Sequence, residues 1–325
     1  MATYKGIQGY SVQKLSTDPT VEDTVGQLWY NSTSGAFKIS TEGAGAWSSG
    51  GALTTGRNYP QAARNSTQTA GLAFGGYNSG GRAETETYNG TAWSEVNNLN
   101  TGRAGPGGAG TQTAALCSTG TPYSPDSNAR TSVVESYNGT SWTEVNNVTT
   151  AVAWMNSFGT NTAAMLVGGD TGGAVTTVNS QTWNGTSWAE GNNLPGGVLG
   201  NTGTGSTAAG LNLGAEASPY RACQTYDGTS WTEVNNTNSQ HGYASCFGTQ
   251  ASAVVAGSNS PGTTAVSESW DGTSWTETAD MATARYGTAA FGLGSAGVVT
   301  GGAPALTTTE EWTNPVYAIK TVTVS

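Results

Sequence analysis

A hexapeptide that recurs along the chain constrains the fold more than any other feature. It reads aromatic, Asn or Asp, Gly, Thr, any residue, Trp. Five near-identical copies span Tyr88–Trp93, Tyr137–Trp142, Trp183–Trp188, Tyr226–Trp231 and Trp270–Trp275. A sixth copy begins at Trp312 and degenerates, and Trp47 fits the last position of a copy whose first half is missing. Since the final Trp recurs about every 46 residues, the sequence predicts a repeat protein.

Each repeat has room for four short strands and no helix-period segment of useful length. In the second repeat the predicted strands are Ala109–Thr113, Ala114–Ser118, Thr131–Tyr137 and Thr140–Val145. Between the last two lies Asn138-Gly139, the residue pair most typical of a two-residue hairpin turn, because both central positions of that turn need positive φ.

A two-residue turn also predicts the pairing of the hairpin. It would place Tyr137 opposite Thr140 and Glu135 opposite Trp142. The rings of Tyr137 and Trp142 would then lie diagonally on one face, where they could fill the gap between neighbouring sheets. We therefore expect a structural role for the repeated tryptophans, which are Trp47, Trp93, Trp142, Trp188, Trp231 and Trp275.

Counting the strand patterns predicts the architecture. The second strand occurs six times, at Thr69–Gly76, Thr113–Ser118, Thr162–Gly169, Ser206–Leu213, Ser252–Gly257 and Ala296–Gly302. The third also occurs six times, ending at Tyr88, Tyr137, Trp183, Tyr226, Trp270 and Trp312. Four short strands in a repeat of this length are typical of a β-propeller blade. We expect an all-β fold, a six-bladed β-propeller over residues 44–325.

The two ends of the chain lie outside the regular repeat. Because the sixth copy lacks a fourth strand, we expect the segment at Trp47 to pair with Thr308–Trp312 and close the last blade. Ile319–Val324 is the other candidate for that edge. Residues 1–43 do not share the repeat and are predicted to form an anchoring arm, with a hairpin over Leu28–Ile39.

Composition fits this fold and excludes several classes of function. Leu, Ile, Val and Phe are too scarce for an ordinary core, but 48 Gly, 11 Trp and 13 Tyr supply turns and aromatic bulk. With 11 Lys and Arg against 21 Asp and Glu, the chain lacks the basic stripe that nucleic acid requires. Its apolar runs are far too short to span a bilayer. We expect neither nucleic-acid binding nor membrane insertion.

The few cysteines and the single histidine argue against metal or disulfide chemistry. Cys117, Cys223 and Cys246 are odd in number and form no CxxC, so buried free thiols are expected. His241 alone cannot supply a histidine-rich metal site. No metal and no cofactor is predicted.

Several motifs together resemble the kelch repeat between about Trp47 and Trp312. A Gly-Gly pair follows the second strand at Gly75-Gly76, Gly168-Gly169 and Gly301-Gly302, then come Glu-x-Tyr/Trp, Trp and an arginine as in Met281–Arg285. The pair is lost in the second, fourth and fifth repeats. The loop arginine is present at Arg57, Arg103 and Arg285, whereas Ala151, Gly197 and His241 stand near that place in the other repeats. The expected fold is thus a kelch-like propeller.

Other segments resemble phage virion proteins. Gly26–Lys38 is similar to segments common in virion proteins of tailed phages. The sequences of Thr101–Arg103 and Gly110–Leu116 are similar to segments of kelch-like virion proteins from marine and cyanobacterial phages. The resemblance implies a virion location, with assembly in the cytoplasm of a bacterial host, as a tail appendage, head fibre or decoration.

Enzymatic propellers offer a poor fit to the sequence. Kelch-type copper oxidases need several His and Tyr ligands, and His241 is the one histidine of the chain. Sialidase boxes resemble Ser269–Trp275, but Asp271 is followed directly by Gly272, and Asn replaces Asp at Asn89, Asn138 and Asn184, which indicates a turn former. We therefore predict no catalytic residues and no enzyme activity.

Two sets of carboxylates repeat with the blades. Glu95, Glu144, Glu190, Glu233 and Glu277 lie two residues after each Trp, where edge charges that deter strand pairing are favoured over a ring of cation sites. Glu86, Glu135 and Glu268 lie two residues before the third-strand aromatic and are expected to accept hydrogen bonds from backbone amides between blades.

The loops between the second and third strands vary most between repeats and carry the candidate binding residues. These are Tyr77, Arg82, Tyr123, Arg130, Asp170, Tyr220 and Arg221. In a propeller these loops share one face with the crossings between blades, and loops on a rigid scaffold commonly carry function. We expect this face to recognise a host surface polymer or a neighbouring virion protein.

The sequence therefore predicts a non-enzymatic virion structural protein displayed on the particle. Residues 1–43 would contact other virion proteins, and the chain is expected to form a homo-oligomer in the particle. The alternative is a receptor-binding adhesin that recognises host surface glycan. Aromatic residues clustered on the loop face would favour the adhesin, and chain-to-chain contacts through residues 1–43 would favour the structural role.

Overall fold

The computed structural model describes residues 12–19, 26–122, 129–173, 175–214, 221–314 and 316–322. The chain divides into two compact units, one made of Met1–Gly45 with Asn314–Ser325 and the other of Ala46–Thr313. All regular structure in the described residues is β-strand, as predicted. No helix in this part of the chain is long and apolar enough to cross a membrane.

The strands follow one another in short segments. The first fourteen are β1 (Gln13–Leu15), β2 (Leu28–Asn31), β3 (Ala36–Gly43), β4 (Ala46–Gly50), β5 (Gln61–Ala62), β6 (Gly71–Phe74), β7 (Thr85–Tyr88), β8 (Trp93–Val96), β9 (Gly107–Thr111), β10 (Ala114–Ser118), β11 (Val134–Tyr137), β12 (Trp142–Val145), β13 (Asn156–Gly159) and β14 (Ala164–Val167). The others are β15 (Ser180–Trp183), β16 (Trp188–Glu190), β17 (Thr202–Ser206), β18 (Ala209–Leu213), β19 (Cys223–Tyr226), β20 (Trp231–Val234), β21 (Ser245–Gly248), β22 (Ala253–Ser258), β23 (Thr264–Trp270), β24 (Trp275–Glu277), β25 (Ala289–Leu293), β26 (Ala296–Thr300), β27 (Thr309–Thr313) and β28 (Val316–Thr321).

The unit Ala46–Thr313 is β-propeller-like. Its strands form four-stranded antiparallel sheets in the orders β5-β6-β7-β8, β12-β11-β10-β9, β13-β14-β15-β16, β17-β18-β19-β20, β21-β22-β23-β24 and β25-β26-β27-β4. The first strands of successive sheets lie against one another, β5 with β9, β9 with β13 and so on to β25 with β5. The second and third strands lie where the repeat pattern placed them.

The predicted register of the hairpins is wrong by two residues. Tyr137 pairs directly with Trp142, and Glu135 pairs with Glu144. The connection is a four-residue loop because the Asn138 side chain organises it: its Oδ1 accepts hydrogen bonds from the backbone N–H groups of Thr140 and Ser141, both at 2.9 Å. The aromatic rings consequently face each other, with centroids 5.0 Å apart.

These aromatic pairs fill the spaces between sheets, as expected. Tyr137 and Trp142 pack in one hydrophobic cluster with Leu72 and Phe74 of the preceding sheet. The Trp142 ring stands edge-on to Phe74 at 5.0 Å between centroids. Five of the six repeated tryptophans are buried, namely Trp93, Trp142, Trp188, Trp231 and Trp275, and Trp47 is partly buried against a cluster that contains Phe247, Met281 and Trp312.

Glycine allows the close approach of one sheet to the next. A Cβ atom built on Gly71 would lie 2.1 Å from Cζ of Phe291, so no other residue fits at that position without moving the ring. The scarcity of Leu and Ile in the sequence follows from this pattern, because aromatic rings pack on glycine where aliphatic side chains would otherwise meet.

The sheet that contains β25, β26 and β27 takes its fourth strand, β4, from the beginning of the repeat region. β4 pairs with β27 in antiparallel register, with Trp47 opposite Trp312. The described part of the alternative segment Ile319–Val324 does not occupy that edge, because β28 pairs with β3, with Ile319 opposite Ser40. Val324 lies outside the described residues. This pairing places residues 314–325 in the same unit as the N-terminal segment, whereas the sequence assigned them to the repeat domain.

The smaller unit is a four-stranded sheet in the order β1-β2-β3-β28. It contains the predicted hairpin, with Leu28 opposite Ile39, and β1 runs parallel to β2. The Asp18 carboxylate accepts hydrogen bonds from Trp29 Nε1 (3.0 Å) and Asn31 Nδ2 (2.6 Å) and forms an ion pair with Lys38 at 3.2 Å. Residues 1–43 are therefore more than an extended arm, since part of them forms a sheet with the C-terminal strand.

Candidate functional site

The crossings that lead from one sheet into the next bring six equivalent residues together. Each lies in the left-handed backbone region, with φ between 49° and 66°, and they alternate between aromatic residue and glycine. In chain order they are Tyr59, Gly105, Trp154, Gly200, Tyr243 and Gly287. They are two residues beyond the position of the loop arginine.

A cycle of backbone hydrogen bonds joins these six residues. The N–H of each donates to the carbonyl of the equivalent residue in the preceding crossing. The distances are 3.4 Å for Gly105 to Tyr59, 3.2 Å for Trp154 to Gly105, 2.8 Å for Gly200 to Trp154, 2.8 Å for Tyr243 to Gly200, 2.7 Å for Gly287 to Tyr243 and 2.7 Å for Tyr59 to Gly287. The last bond returns to the first residue, so the crossings surround a common centre.

The three aromatic residues of the cycle meet over that centre, and we call Tyr59, Trp154 and Tyr243 the aromatic mouth. The ring centroids lie 4.6 Å apart for Tyr59 and Trp154, 5.7 Å for Tyr59 and Tyr243, and 6.3 Å for Trp154 and Tyr243, all edge to face. All three side chains are half-exposed. Half-exposed Tyr and Trp combine a large apolar surface with a polar group, which suits them to bind ligands.

Glycine at the alternate positions makes room for these rings. A Cβ atom on Gly105 would lie 2.2 Å from Cε3 of Trp154, and one on Gly287 would lie 2.5 Å from Cδ1 of Tyr59. Six aromatic residues could therefore not occupy the cycle together. Sequence reasoning missed the aromatic mouth, although aligning the repeats two residues beyond the loop arginine would have revealed the alternation.

A layer of buried ion pairs supports the crossings. Arg57, Arg103 and Arg285 have no exposed side-chain surface and pair through Nη2 with Glu86, Glu135 and Glu310. His241 Nε2 lies 3.1 Å from Oε1 of Glu268 in the same arrangement. The loop arginines and His241 are thus held inside the scaffold, and a ligand on the loop face could not reach them.

The glutamates of this layer also hold the crossing backbone, as the sequence predicted. Glu135 accepts hydrogen bonds from the N–H groups of Asn100 (2.7 Å) and Thr101 (3.3 Å). Glu86 accepts from Thr54 N–H at 2.7 Å. Burial raises the pKa of Glu268, but hydrogen bonds from His241 and from the Asn238 and Ser239 amides outweigh it, so the pKa lies below its ordinary value.

Two repeats replace the ion pair by neutral residues. The positions equivalent to the loop arginine are Val152 and Val198 in these repeats. Each lies one residue beyond Ala151 and Gly197, the residues that the sequence placed near this position. The third-strand positions are Gln181 and Gln224 instead of Glu. Gln181 Oε1 accepts hydrogen bonds from the Thr149 and Thr150 amides at 2.9 and 3.1 Å, so it keeps the backbone contact without the charge.

The five carboxylates that follow the tryptophans are exposed on outer strands, where charges oppose pairing with another chain. In the turns, Asn89, Asn138, Asn184, Asp227 and Asp271 each accept hydrogen bonds from the two backbone amides that follow the glycine. Hydrogen bonds from these amides lower the pKa of Asp227 and Asp271. These residues therefore serve the turns, as the sequence indicated.

The structure brings together two of the loop residues predicted to bind a partner. Arg130 forms an ion pair with Asp170, and their side chains are 9% and 7% exposed. Asp170 Oδ1 also accepts a hydrogen bond from Gly172 N–H at 2.7 Å. This pair joins the loops of two neighbouring sheets, so its charges already have partners inside the protein.

The other predicted loop residues are dispersed. Arg82 pairs with Glu84 at 2.7 Å. Tyr77 is half-buried, and its backbone N–H and carbonyl exchange hydrogen bonds with Asn58 at 2.7 and 2.8 Å. Arg221 is exposed. Tyr123 and Tyr220 lie outside the described residues. The described ones, Tyr77, Arg82 and Arg221, do not line the cavity at the aromatic mouth.

Metal-ligating groups do not cluster in the described part of the chain, where no set of three or more His, Cys, Asp or Glu residues could hold an ion. Cys117, Cys223 and Cys246 are buried free thiols, as expected. Burial raises the pKa of each thiol to about 12, which keeps it protonated at neutral pH.

Comparison with known proteins supports the architecture. No protein-family model and no curated protein matches the chain. Among solved structures that do match is the structure of YjhT, with a TM-score of 0.64 at 13% sequence identity. The match covers 84% of this chain and 99% of the YjhT chain. At this identity the similarity concerns the fold, and it agrees with the β-propeller-like, all-β architecture described above.

Proposed function

We propose that Ala46–Thr313 is a six-bladed, kelch-like β-propeller closed by β4. The six sheets supply the blades, and the cycle of hydrogen bonds through Tyr59, Trp154 and Tyr243 returns to its start. The pairing of Trp47 with Trp312 joins the beginning and end of this unit in one sheet. A circular array gains from such a join, because the strand from the start of the unit completes the last sheet and holds the two ends of the array together.

On this scaffold we place a non-enzymatic structural protein of a phage particle, displayed on the particle surface. The observation that carries the proposal is that the segment similar to tailed-phage virion proteins, Gly26–Lys38, lies in a compact unit of its own, apart from the repeats. A separate unit can attach to other virion proteins while the propeller stays exposed. The exposed carboxylates of the outer strands, such as Glu95 and Glu144, suit a surface that remains in solvent.

The aromatic mouth favours a second function, recognition of a host surface glycan. Sugar rings have apolar faces and hydroxyl groups, and half-exposed Tyr and Trp side chains offer both an apolar surface and a hydrogen-bonding group. Tyr59, Trp154 and Tyr243 combine these properties at one point on the face that carries the loops. A displayed propeller with this site would act as an adhesin.

One experiment with two variants in the phage separates these functions. Deleting residues 1–27 should abolish incorporation into particles, measured by mass spectrometry of purified virions. The double variant Tyr59→Ala with Trp154→Ala should remain in the particle and, if the mouth binds glycan, reduce adsorption to host cells at least about tenfold, a loss of about 1.4 kcal/mol.

The control is Glu144→Gln, which changes an exposed side chain on an outer strand of the propeller-like unit and should leave both incorporation and adsorption unchanged. Full incorporation of the deletion variant would contradict the anchoring role. Unchanged adsorption of the double variant would contradict the adhesin and leave the structural function.

A further inference from the structure

We propose that Arg64 and Ser66 bind the carboxylate of a small organic anion in a cavity at the centre of the propeller-like unit. This site goes beyond the function proposed above, because it lies among the turns that join first and second strands and involves none of the residues of the aromatic mouth.

Arg64 reaches across the centre of the unit. It follows β5, yet its Nη1 donates hydrogen bonds to the carbonyls of Gly203 in β17 (2.9 Å) and Cys246 in β21 (3.0 Å). The side chain is buried, with 6% of the residue exposed. Burial lowers the pKa of Arg64 to about 10, so it remains charged at neutral pH.

The other buried arginines show which partner Arg64 lacks. Arg285 uses Nη1 to donate to the carbonyls of Gly301 and Thr308 and Nη2 to bind Glu310 at 2.6 Å. Arg57 and Arg103 likewise combine carbonyl partners at Nη1 with a glutamate at Nη2. Arg64 donates to two backbone carbonyls in the same way, but no carboxylate among the described residues pairs with it.

The unused side of the Arg64 guanidinium has the geometry of a carboxylate site. Its Nε is buried without a hydrogen-bond partner, as are those of Arg57 and Arg285, so Arg64 differs from them at Nη2, which has no carboxylate partner among the described residues. The N–H groups of Nε and Nη2 point in parallel and form the fork that binds both oxygens of a carboxylate. A buried, unpaired charge is costly, so an anion that completes the fork would be bound favourably.

Ser66 adds a second unpaired group to the same place. Its Oγ is buried and has no hydrogen-bond partner, and the residue is 5% exposed. Arg64 and Ser66 line one cavity of about 450 Å³, together with Gly205, Thr249, Gln250 and Leu293. Cavities of this size hold small organic molecules. The cavity beneath the aromatic mouth, which Arg64 also lines, has about 50 Å³ and holds only a few water molecules.

Charge and shape together define the ligand class. A single guanidinium without a second cation balances one negative charge, which favours a carboxylate over a phosphate or sulfate dianion. Leu293 and the glycine backbone leave room for an apolar body behind the carboxylate. The ligand is therefore a small organic monocarboxylate.

The test measures binding of matched acids and amides to the full-length protein by isothermal titration calorimetry and by the NMR signal of the Arg64 Nε–H group. Acetate and benzoate should bind saturably and shift that signal, with dissociation constants on the order of millimolar. Acetamide and benzamide, which have the same shape without the charge, should bind at least about tenfold more weakly.

Variants then assign the site. Arg64→Lys keeps the charge but loses the fork and should weaken benzoate binding at least about tenfold. Ser66→Ala should weaken it about fivefold, the loss of one hydrogen bond. Arg221→Gln, which removes an exposed arginine from a loop, should leave it unchanged.

Three results would overturn the site. One is the absence of saturable benzoate binding to the unmodified protein. Another is equal binding of benzoate and benzamide. The third is retention of full affinity by Ser66→Ala. Because the acid–amide comparison uses the unmodified protein and Ser66→Ala is a small change, the outcome does not depend on whether the Arg64 variant folds.

Discussion

At the scale of single residues, two positions of each repeat vary together. Where the crossing carries Arg or His, the third strand carries Glu, as in Arg103 with Glu135. Where the crossing carries Val, the third strand carries Gln, as in Val152 with Gln181. Because burying a lone charge is costly, each repeat carries either both charged residues or neither. Both kinds of residue hold the crossing backbone, since Glu86, Glu135, Glu268 and Gln181 all accept hydrogen bonds from its N–H groups.

This covariation predicts the effect of replacing a charged Arg–Glu pair by a neutral Val–Gln pair. Glu135→Gln leaves Arg103 buried without its partner and should lower the free energy of unfolding by about 3–5 kcal/mol. The double variant Arg103→Val with Glu135→Gln reproduces the pair found in the third repeat and should recover most of that loss. Urea denaturation followed by Trp fluorescence measures both.

An exposed carboxylate provides the control for this comparison. Glu144→Gln, directly opposite Glu135 on the outer strand, should change stability by less than about 0.5 kcal/mol. A double variant no more stable than Glu135→Gln alone would mean that the neutral pair does not replace the charged pair.

Prediction from sequence was also most successful at residues whose role is local. The Asn and Asp residues of the turns and the aromatic residues of each hairpin were recognised from their spacing. The register error in the hairpins arose because the Asn side chain organises a four-residue loop, while the Asn-Gly pair by itself is typical of a two-residue turn.

At the scale of elements, β4 pairs with a strand from the far end of the propeller-like unit. It supplies the outer strand to β26 and β27, more than two hundred residues away in sequence. Trp47 packs edge-on to Phe247 at 6.0 Å and against Trp312 at 5.3 Å, and its Nε1 donates to the Ala279 carbonyl at 2.9 Å. Loss of β4 would therefore remove a buried aromatic contact and expose the edge of β27.

Two truncated chains that differ only in β4 test this role. A chain of residues 46–313 should fold and unfold cooperatively. A chain of residues 51–313 should be less stable by at least about 3 kcal/mol, the cost of losing a packed Trp, and should associate through its free edge. Thermal unfolding and size-exclusion chromatography measure the two effects. Equal stability of both chains would show that β4 does not close the unit.

The strands at the chain ends show that the sequence pattern alone could not decide which segment pairs with β27. Both Trp47–Gly50 and Ile319–Val324 had the length and composition of an outer strand. The structure distinguishes them by partner, since β4 extends the sheet of β27 and β28 extends the sheet of β3. Local sequence does not encode which distant edge a short strand joins.

At the scale of the whole molecule, the hydrophobic clusters join neighbouring sheets throughout the propeller-like unit. Each cluster contains side chains from two sheets, for example Phe74 with Trp142 and Phe291 with Trp93. The stability of one sheet consequently depends on both neighbours, and we expect the unit to unfold as a whole.

The three cysteines report on this cooperativity because they lie in different sheets, Cys117 in β10, Cys223 in β19 and Cys246 in β21. Burial excludes reagents and raises each pKa to about 12, so iodoacetamide should not label the native protein at neutral pH. All three thiols should become reactive at the same urea concentration. Peptide mass spectrometry after pulse labelling gives the reactivity of each.

A reactive reference is needed in the same protein. Ser94→Cys introduces a thiol on an exposed outer strand and should be labelled without denaturant. If one of the three native cysteines were labelled well before the others, its sheet would unfold independently of its neighbours.

The sequence by itself determined the strand-rich class, the repeat length, the number of strand patterns and the residues of each turn, because these depend on neighbours within a few positions. Only the tertiary structure decided which strand completes the sheet of β27, that the loop arginines are buried in ion pairs, and that Tyr59, Trp154 and Tyr243 meet over one centre. The same holds for Arg64, whose carbonyl partners lie in β17 and β21. These contacts join residues far apart along the chain, and their geometry exists only once the sheets have packed.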